Sequence, residues 1–440
     1  LQARVEAELA RAATGTRFGL VVADDQGHEI VAINPDQRFI PASVTKVVTT
    51  AAAWATLTDL TLPDRSGGAA VRIVGRDVIL TGHGDARLSS APDCVANCLA
   101  QLADAIAART RRVDRVIGDA TRFPDERWSA GMSWNNIPTR SGTAIAALSL
   151  DDNELVLRVT PGAVGAAPAI DHPGYLAIDN RAATVAAGET ALLVHRLPFD
   201  RTIRIAGTIA ADAGPRIVRM GIDDPAHYAA WRLAALLRER KVKVRGDIVS
   251  RYGAAVAATA PDLAKLVPPP LADDIRDINK LSQNLHAELL LRRLSRHDGD
   301  GSVADGQRRV DAMFAAVGVP RTAWDLADGS GMSSYNRIAP RGMVMLLRWI
   351  AAQPWGAAWR ATLPVGGVDG TLARRFRGTA LEGRIFAKTG SLNGTATLAG
   401  YLLGKRGRVL SFALFANDVP SGASALPAMD AALIAIADDY

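Results

Sequence analysis

The stretch PASVTKVVTTAAAW, residues 41–54, places a serine and a lysine three positions apart at the head of an otherwise apolar, Ala- and Thr-rich run. Lysine is scarce here: Lys46, Lys241, Lys243, Lys265, Lys280, Lys388 and Lys405 are all of it, among 51 Lys and Arg residues. A serine that opens a helix is most often an N-cap, accepting a backbone hydrogen bond. The alternative is chemical. Residues three apart share a helical face, which would lay Lys46 beside the Ser43 hydroxyl. A lysine in apolar surroundings loses ammonium solvation, so its pKa falls and the neutral amine can act as a base. The helix start would also offer the Ser43 N–H to a developing oxyanion.

Working outward, LQARVEAELARAA (1–13) has a helical apolar rhythm. FGLVVADD (18–25) and HEIVAINPD (28–36) read as a hairpin joined across Gln26-Gly27. The far end mirrors this. IFAKTGS (385–391), ATLAGYLL (396–403) and RVLSFALFAND (408–418) read as strands, the last two split by the turn 404–407. ALPAMDAALIAIADD (425–439) reads as an amphipathic helix. Strands at both ends of the chain predict one antiparallel sheet flanked by helices, an α+β arrangement built from 1–62 and 262–440.

Between them, short strand-like runs such as VRIVG, DVILTG, RVIGD, LVLRVTPG and TIRIAGTIA are punctuated by Gly, Pro and Asp, with one clear helix, PAHYAAWRLAALLRER. A stretch this long is no loop of a compact domain. It reads as inserted β-rich subdomains: domain II from 63–88 and 164–261, and domain III from 89–163. APDLAKLVPPPLADD (260–274) is the re-entry segment.

Composition narrows the function classes. Of 440 residues 48% are hydrophobic, enough for a sizeable core, and the net charge is +6. The cations are mostly scattered arginines with no basic block and no interleaved aromatics, which argues against nucleic acid as a partner. A positive balance would also suit an anionic polymer such as a cell wall. No run of 18 apolar residues predicts a membrane span. Two cysteines, Cys94 and Cys98, and unpaired histidines give no metal-ligand spacing, and no cofactor is expected. The cysteines are open to two readings: a local disulfide, or two small residues on one buried helical face. A chain starting at Leu1 reads as a processed or trimmed form, in which any signal peptide would already be missing.

Two further clusters matter. Ser282 and Asn284 sit at i and i+2 where two helical patterns meet; alone this is a polar turn. Lys388, Thr389 and Gly390 interrupt a strand pattern, and a glycine there permits close approach of another backbone; alone this is a hairpin end. In this order, S-x-x-K, S-x-N and K-T-G are the motif set of penicillin-binding proteins and serine β-lactamases. The sequence resembles the low-molecular-mass class C penicillin-binding proteins, the D-alanyl-D-alanine carboxypeptidase/endopeptidase group of peptidase family S13. RFIPASVTKVVTTAAA, LTGHGDARL, VIGDATRF, LADGSGMSSYNRIAP and LPVGGVDGTLARRF resemble that family's blocks from about residue 18 onward.

The resemblance implies a β-lactamase/transpeptidase-like domain with inserted subdomains, and a bacterial periplasmic or extracytoplasmic site. It implies peptidoglycan peptides ending in D-Ala-D-Ala as substrates, and β-lactams as covalent inhibitors. It assigns acylation to Ser43, proton acceptance to Lys46, proton relay to Ser282, and substrate-amide binding to Asn284. Lys388 and Thr389 would take the substrate carboxylate, and the Ser43 and Ser391 N–H groups the oxyanion, with Gly390 and Trp134 as further substrate contacts. The two ammonium groups would depress each other's pKa. Two departures stand out. Ser391 replaces the family's threonine, harmless if only its N–H is used. Asn135 and Asn136 stand beside Trp128 and Trp134 where family members carry a carboxylate for the amine of the cross-linking side chain. Competing readings are a β-lactamase or D-amino-acid esterase/amidase on the same fold, and a non-catalytic cell-wall-binding protein.

Overall fold

In a computed structural model, residues 1–254, 260–295, 298–405 and 407–440 are described. They form two compact units, Leu1–Pro63 with Ser129–Gly131 and Pro270–Tyr440, and Asp64–Trp128 with Met132–Pro269.

The first unit is built on a five-stranded sheet in the order Ile385–Leu392, Thr395–Leu403, Val409–Asn417, Arg17–Ala23, Glu29–Ile33, antiparallel throughout. The ends of the chain thus share one sheet, with Arg17 opposite Asn417. Arg406, in the turn expected at 404–407, lies outside the described residues. Successive side chains on a strand point to opposite faces, and the two cores follow that rule. Leu20, Val22, Phe412 and Leu414 join the core under the helices Gln2–Leu9 and Leu426–Asp439. Val21, Ala23, Ala413 and Phe415 join the other core. That core contains the helix Thr45–Thr56, buried continuously from Thr45 to Ala53. Around it pack Leu271–Lys280, Asn284–Arg293, Val303–Val317 and Pro340–Ala351.

The second unit, read from sequence as β-rich inserted material, mixes parallel and antiparallel strands. Its largest sheet runs Ile248–Arg251, Val116–Asp119, Asp77–Thr81, Ala70–Val74, Ala264–Lys265. The first three strands are mutually parallel. Parallel neighbours need crossovers, and the helices Leu99–Arg109 and Pro225–Glu239 lie in those connections. Val116–Asp119, from the stretch read as domain III, therefore pairs on both sides with strands from the stretches read as domain II. The segments 63–88, 89–163 and 164–261 share a sheet, because a βαβ crossover places non-adjacent segments side by side. Smaller sheets join Arg216–Gly221, Glu154–Thr160 and Ala169–Asp171, and group Thr202–Ala210 with Ala183–Val185, Ala191–His195 and Ala177–Asn180. Cys94 and Cys98 form a disulfide. Cys98 stands at the start of the helix Leu99–Arg109 and Cys94 precedes it, so no common helical face exists.

Candidate active site

Ser43 lies in a single 3-10 turn, Ala42–Val44, that runs into the helix Thr45–Thr56. The approach to it is clamped by the sheet. Asn417 accepts from the Ile40 N–H at 2.7 Å and donates to the Ile40 carbonyl at 3.2 Å. Thr397 Oγ1 donates to the Pro41 carbonyl at 2.7 Å. Ala42 takes a left-handed backbone, φ 47°. Such φ values are uncommon for a residue with a Cβ and persist where surrounding structure over-determines them. Gly390 is the glycine this packing demands: a Cβ there would stand 2.2 Å from Thr397 Oγ1 and 2.9 Å from the Ser43 nitrogen. Lys388, Thr389 and Gly390 lie inside the edge strand Ile385–Leu392, as the strand read at 385–391 requires, and not at a hairpin end.

The helix Thr45–Thr56 has no side-chain cap. Instead Lys46 Nζ lies 2.8 Å from Ser43 Oγ, 2.7 Å from Asn284 Oδ1 and 2.6 Å from the Ser330 carbonyl. Lys46 is wholly buried. Burial lowers its pKa from 10.5 to about 7, against the opposing pull of Asp328 and Glu288. Ser282 occupies the turn between Leu271–Lys280 and Asn284–Arg293, itself left-handed at φ 61°. Lys388 Nζ donates to Ser282 Oγ at 2.9 Å and to the Thr389 carbonyl at 2.8 Å. It too is wholly buried, and its pKa is pushed well below the usual value, first by burial and then by repulsion from Lys46. The mutual depression expected of the two lysines thus acts at Lys388, whereas burial accounts for Lys46.

Ser43, Ser282, Thr389, Gly390 and Ser391 line one cleft of about 930 Å³, closed elsewhere by Thr371, Arg375 and the segment 419–426. The buried lysines reach it through the hydroxyls they hold. Thr389 Oγ1 donates to Thr371 Oγ1 at 2.7 Å.

Several residues that brace this site carried no functional signal of their own in the sequence. The loop 327–334 presents the Ser330 carbonyl to Lys46, and two buried carboxylates hold it. Asp328 accepts from the Gly331 N–H at 2.8 Å, the Ser333 N–H at 2.6 Å and Asn336 Nδ2 at 2.7 Å. Burial, then the charge of Glu288, raises its pKa to about 6 despite those bonds. Glu288 accepts from the N–H groups of Gly329 and Ser330, at 3.1 and 2.9 Å, and pairs with buried Arg292 at 3.0 Å. The available signal was the run LADGSGMSSYN: an Asp followed by Gly, Ser and Asn marks a loop closed by side-chain-to-backbone bonds. Gly331, φ 88°, is a further close approach, since a Cβ would stand 1.9 Å from the Ala42 carbonyl.

Trp134 belongs to the second unit, where it opens a 3-10 turn and is 63% exposed. Asn135 accepts from Ser133 Oγ at 2.6 Å, and Trp128 Nε1 donates to the Gly142 carbonyl at 2.9 Å. Among the described residues no group of three His, Cys, Asp or Glu could hold a metal ion, and no helix is long and apolar enough to cross a membrane.

The family model described as the D-Ala-D-Ala carboxypeptidase 3 (S13) family matches residues 1–440. A D-alanyl-D-alanine carboxypeptidase of Actinomadura sp. (strain R39) is 33% identical over 449 residues, spanning 96% of this chain and 82% of that protein. The fold is similar to the crystal structure of penicillin binding protein 4 (dacB) from Haemophilus influenzae, with a TM-score of 0.81, 22% identity and 98% of each chain covered. The same protein complexed with a novel β-lactam superposes with a TM-score of 0.77, again at 22% identity and 98% coverage of each chain.

Proposed function

The chain belongs to the D-Ala-D-Ala carboxypeptidase 3 (S13) family of serine-type peptidases, and on that premise we propose that Ser43 is the acylated nucleophile and Lys46 its base. The observation that carries this is the arrangement around Lys46 Nζ. A neutral amine has two hydrogens and one lone pair. The Asn284 Oδ1 and Ser330 carbonyl oxygens can only accept, so they take both hydrogens. The lone pair is left for the Ser43 hydroxyl, which must then donate. Lys46 is thus aimed at the proton it removes, at a pKa near 7 where base catalysis is effective.

Ser43 Oγ bonds to the carbonyl carbon of the penultimate D-Ala while its proton passes to Lys46. The peptide C–N bond then breaks, and Ser282 relays a proton to the departing D-Ala nitrogen. Water hydrolyses the ester and restores Ser43. The Ala387 N–H points away from the neighbouring strand, donating to the Pro364 carbonyl at 3.0 Å. By the two-residue period of a strand, the Ser391 N–H faces the same side. That favours an oxyanion hole from the Ser43 and Ser391 N–H groups, where one donor is typically worth about 10²–10³ in rate. Thr389 meets the terminal carboxylate, with Lys388 behind it bonded to Ser282 Oγ and the Thr389 carbonyl, and Asn284 meets the substrate amide. Gly390 gives the edge strand its approach to the substrate. Stem peptides of peptidoglycan and, on the same chemistry, β-lactams are the ligands, whether the bond cleaved is terminal or a cross-link. The disulfide fits an oxidising, extracytoplasmic compartment.

Intact-mass spectrometry after exposure to benzylpenicillin tests the assignment. One covalent adduct is expected, lasting for hours and absent from Ser43→Ala. An adduct on Ser43→Ala would overturn the nucleophile, and rapid loss from the unaltered protein would indicate a β-lactamase. Asn135 and Asn136 cannot pair with an ammonium as a carboxylate does. Stem peptides with and without a free side-chain amine are therefore expected to turn over at similar kcat/KM; a strong preference for the amine would refute this.

A further inference from the structure

We propose that the second unit carries a binding strip for a linear, phosphodiester-linked polyanion, formed where residues 109–115 and 238–245 lie side by side. The two runs, RTRRVDR and RERKVKVR, are 123 residues apart at their closest. Between them they hold nine Lys and Arg residues against one Asp and one Glu. Neither is a charge block alone. Arg112–Val113 and Lys243–Val244 pair as parallel strands, with Lys243 directly opposite Arg112. The Lys243 N–H donates to the Arg111 carbonyl at 2.9 Å, and the Arg245 N–H to the Val113 carbonyl at 3.1 Å.

The pleat sorts the side chains. Val113 and Val242 are buried, while Arg111, Arg112, Lys241, Lys243 and Arg245 are exposed. Lys243 and Arg245, two residues apart on an extended run, stand about 6.6 Å from each other along the strand. Like charges directly opposite on paired strands are destabilising. Counterions are few. Arg115 pairs with Asp77 at 2.5 Å, Arg240 with Asp104 at 2.6 Å, and Arg112 only distantly with Asp114 at 3.9 Å. Among the described residues no ion pair holds Arg109, Arg238, Lys241, Lys243 or Arg245. Lys241 also sits at φ 61° just past the helix Pro225–Glu239, a position where glycine would be less strained. The fold thus keeps a lysine where neither backbone geometry nor charge balance favours one.

The shape and composition select the ligand. A cleft of about 720 Å³ beside the strip is lined by Arg76, Arg109, Thr110 and Arg112, with Asp262 its one carboxylate among the described residues. Concavity suits a chain more than a flat bilayer. The two runs contain no Phe, Tyr or Trp, so nothing in them would wedge into lipid or stack on bases. What remains is a flexible polymer whose phosphates are spaced by a short polyol, with a repeat near the strand's two-residue step.

Fluorescence anisotropy with a labelled glycerol-phosphate oligomer at about 0.15 M salt, where bulk screening is already strong, reads the proposal directly. Binding is expected. The triple variant Arg112→Gln, Lys243→Gln, Arg245→Gln should bind about tenfold more weakly or worse while its benzylpenicillin labelling is unchanged. That labelling reports the proposed active site separately, so either assignment can fail alone. Lys241→Gly should weaken binding with an unfolding midpoint that stays or rises, which separates lost charge from lost fold. Four results would each overturn the proposal: equal affinity of the triple variant and the unaltered protein; competition by monomeric glycerol phosphate at equal phosphate concentration; retention on phosphatidylglycerol vesicles without binding of the oligomer; or tighter binding of a thymidine oligomer than of the glycerol-phosphate chain.

Discussion

The first unit hides two of its lysines and the second displays two of its own. Lys46 and Lys388 are wholly buried, each reaching a serine hydroxyl. Lys241 and Lys243 keep their heads in water on a strip with few counterions. The same residue serves opposite ends. Burial strips the solvation that keeps an ammonium charged and makes a base. Exposure beside unpaired arginines concentrates charge and makes an anion surface. The carboxylates divide likewise. Glu288 is enclosed and braces the loop that holds Lys46, whereas Asp77 meets Arg115 in solvent. Environment, more than residue type, decides what each group does.

The contrast breaks most sharply at Lys46. Lys46→Arg preserves a cation but cannot supply a neutral amine near neutrality, so acylation by benzylpenicillin should fall by about 10²–10⁴. In the unaltered protein the amine is protonated below its pKa of about 7 and neutral above it. The acylation rate at subsaturating penicillin should therefore rise through pH 7 and level off on the alkaline side. A rise displaced toward 10.5 would show that burial does not set the pKa of this amine.

Next in size is the buried ion pair. Glu288→Ala takes the Glu288 carboxylate from buried Arg292 as one of its partners and frees the Gly329 and Ser330 N–H groups. Removing one partner of such a pair typically costs about 3–5 kcal/mol, readable in urea unfolding, and acylation should slow as the Ser330 carbonyl shifts. The smallest effect belongs to the exposed counterpart. Asp77→Asn should leave the midpoint within its error, because solvent screens a surface pair. Equal losses in the two variants would erase the distinction between the units.

Much of the first unit was legible in sequence because its signals are local. Two-residue alternation in the terminal strands, helical periodicity at 425–439 and a serine three residues before a lysine each follow from chain geometry over a few residues. The family blocks then brought Ser43, Ser282 and Lys388 to attention together. Less was legible where spacing in sequence and in space diverge. Asp328 and Glu288 look like ordinary loop and helix acids until the fold turns them on the Ser330 loop. The parallel pairing of Val116–Asp119 with Asp77–Thr81 and Ile248–Arg251 crosses helices, which short strand-like runs do not reveal.

The sequence by itself determined the apolar alternation of the terminal strands, the helices beside them and the three motifs with their order, since these depend on side-chain type and on spacings within a turn or a pleat. Only the tertiary structure decided that Lys46 meets Asn284 and Ser330, 238 and 284 residues away, that Cys94 and Cys98 are joined, and that two modest cationic runs become one strip. Desolvation, counterion distance and strand pairing belong to neighbours in space, and those neighbours exist only once the chain has closed on itself.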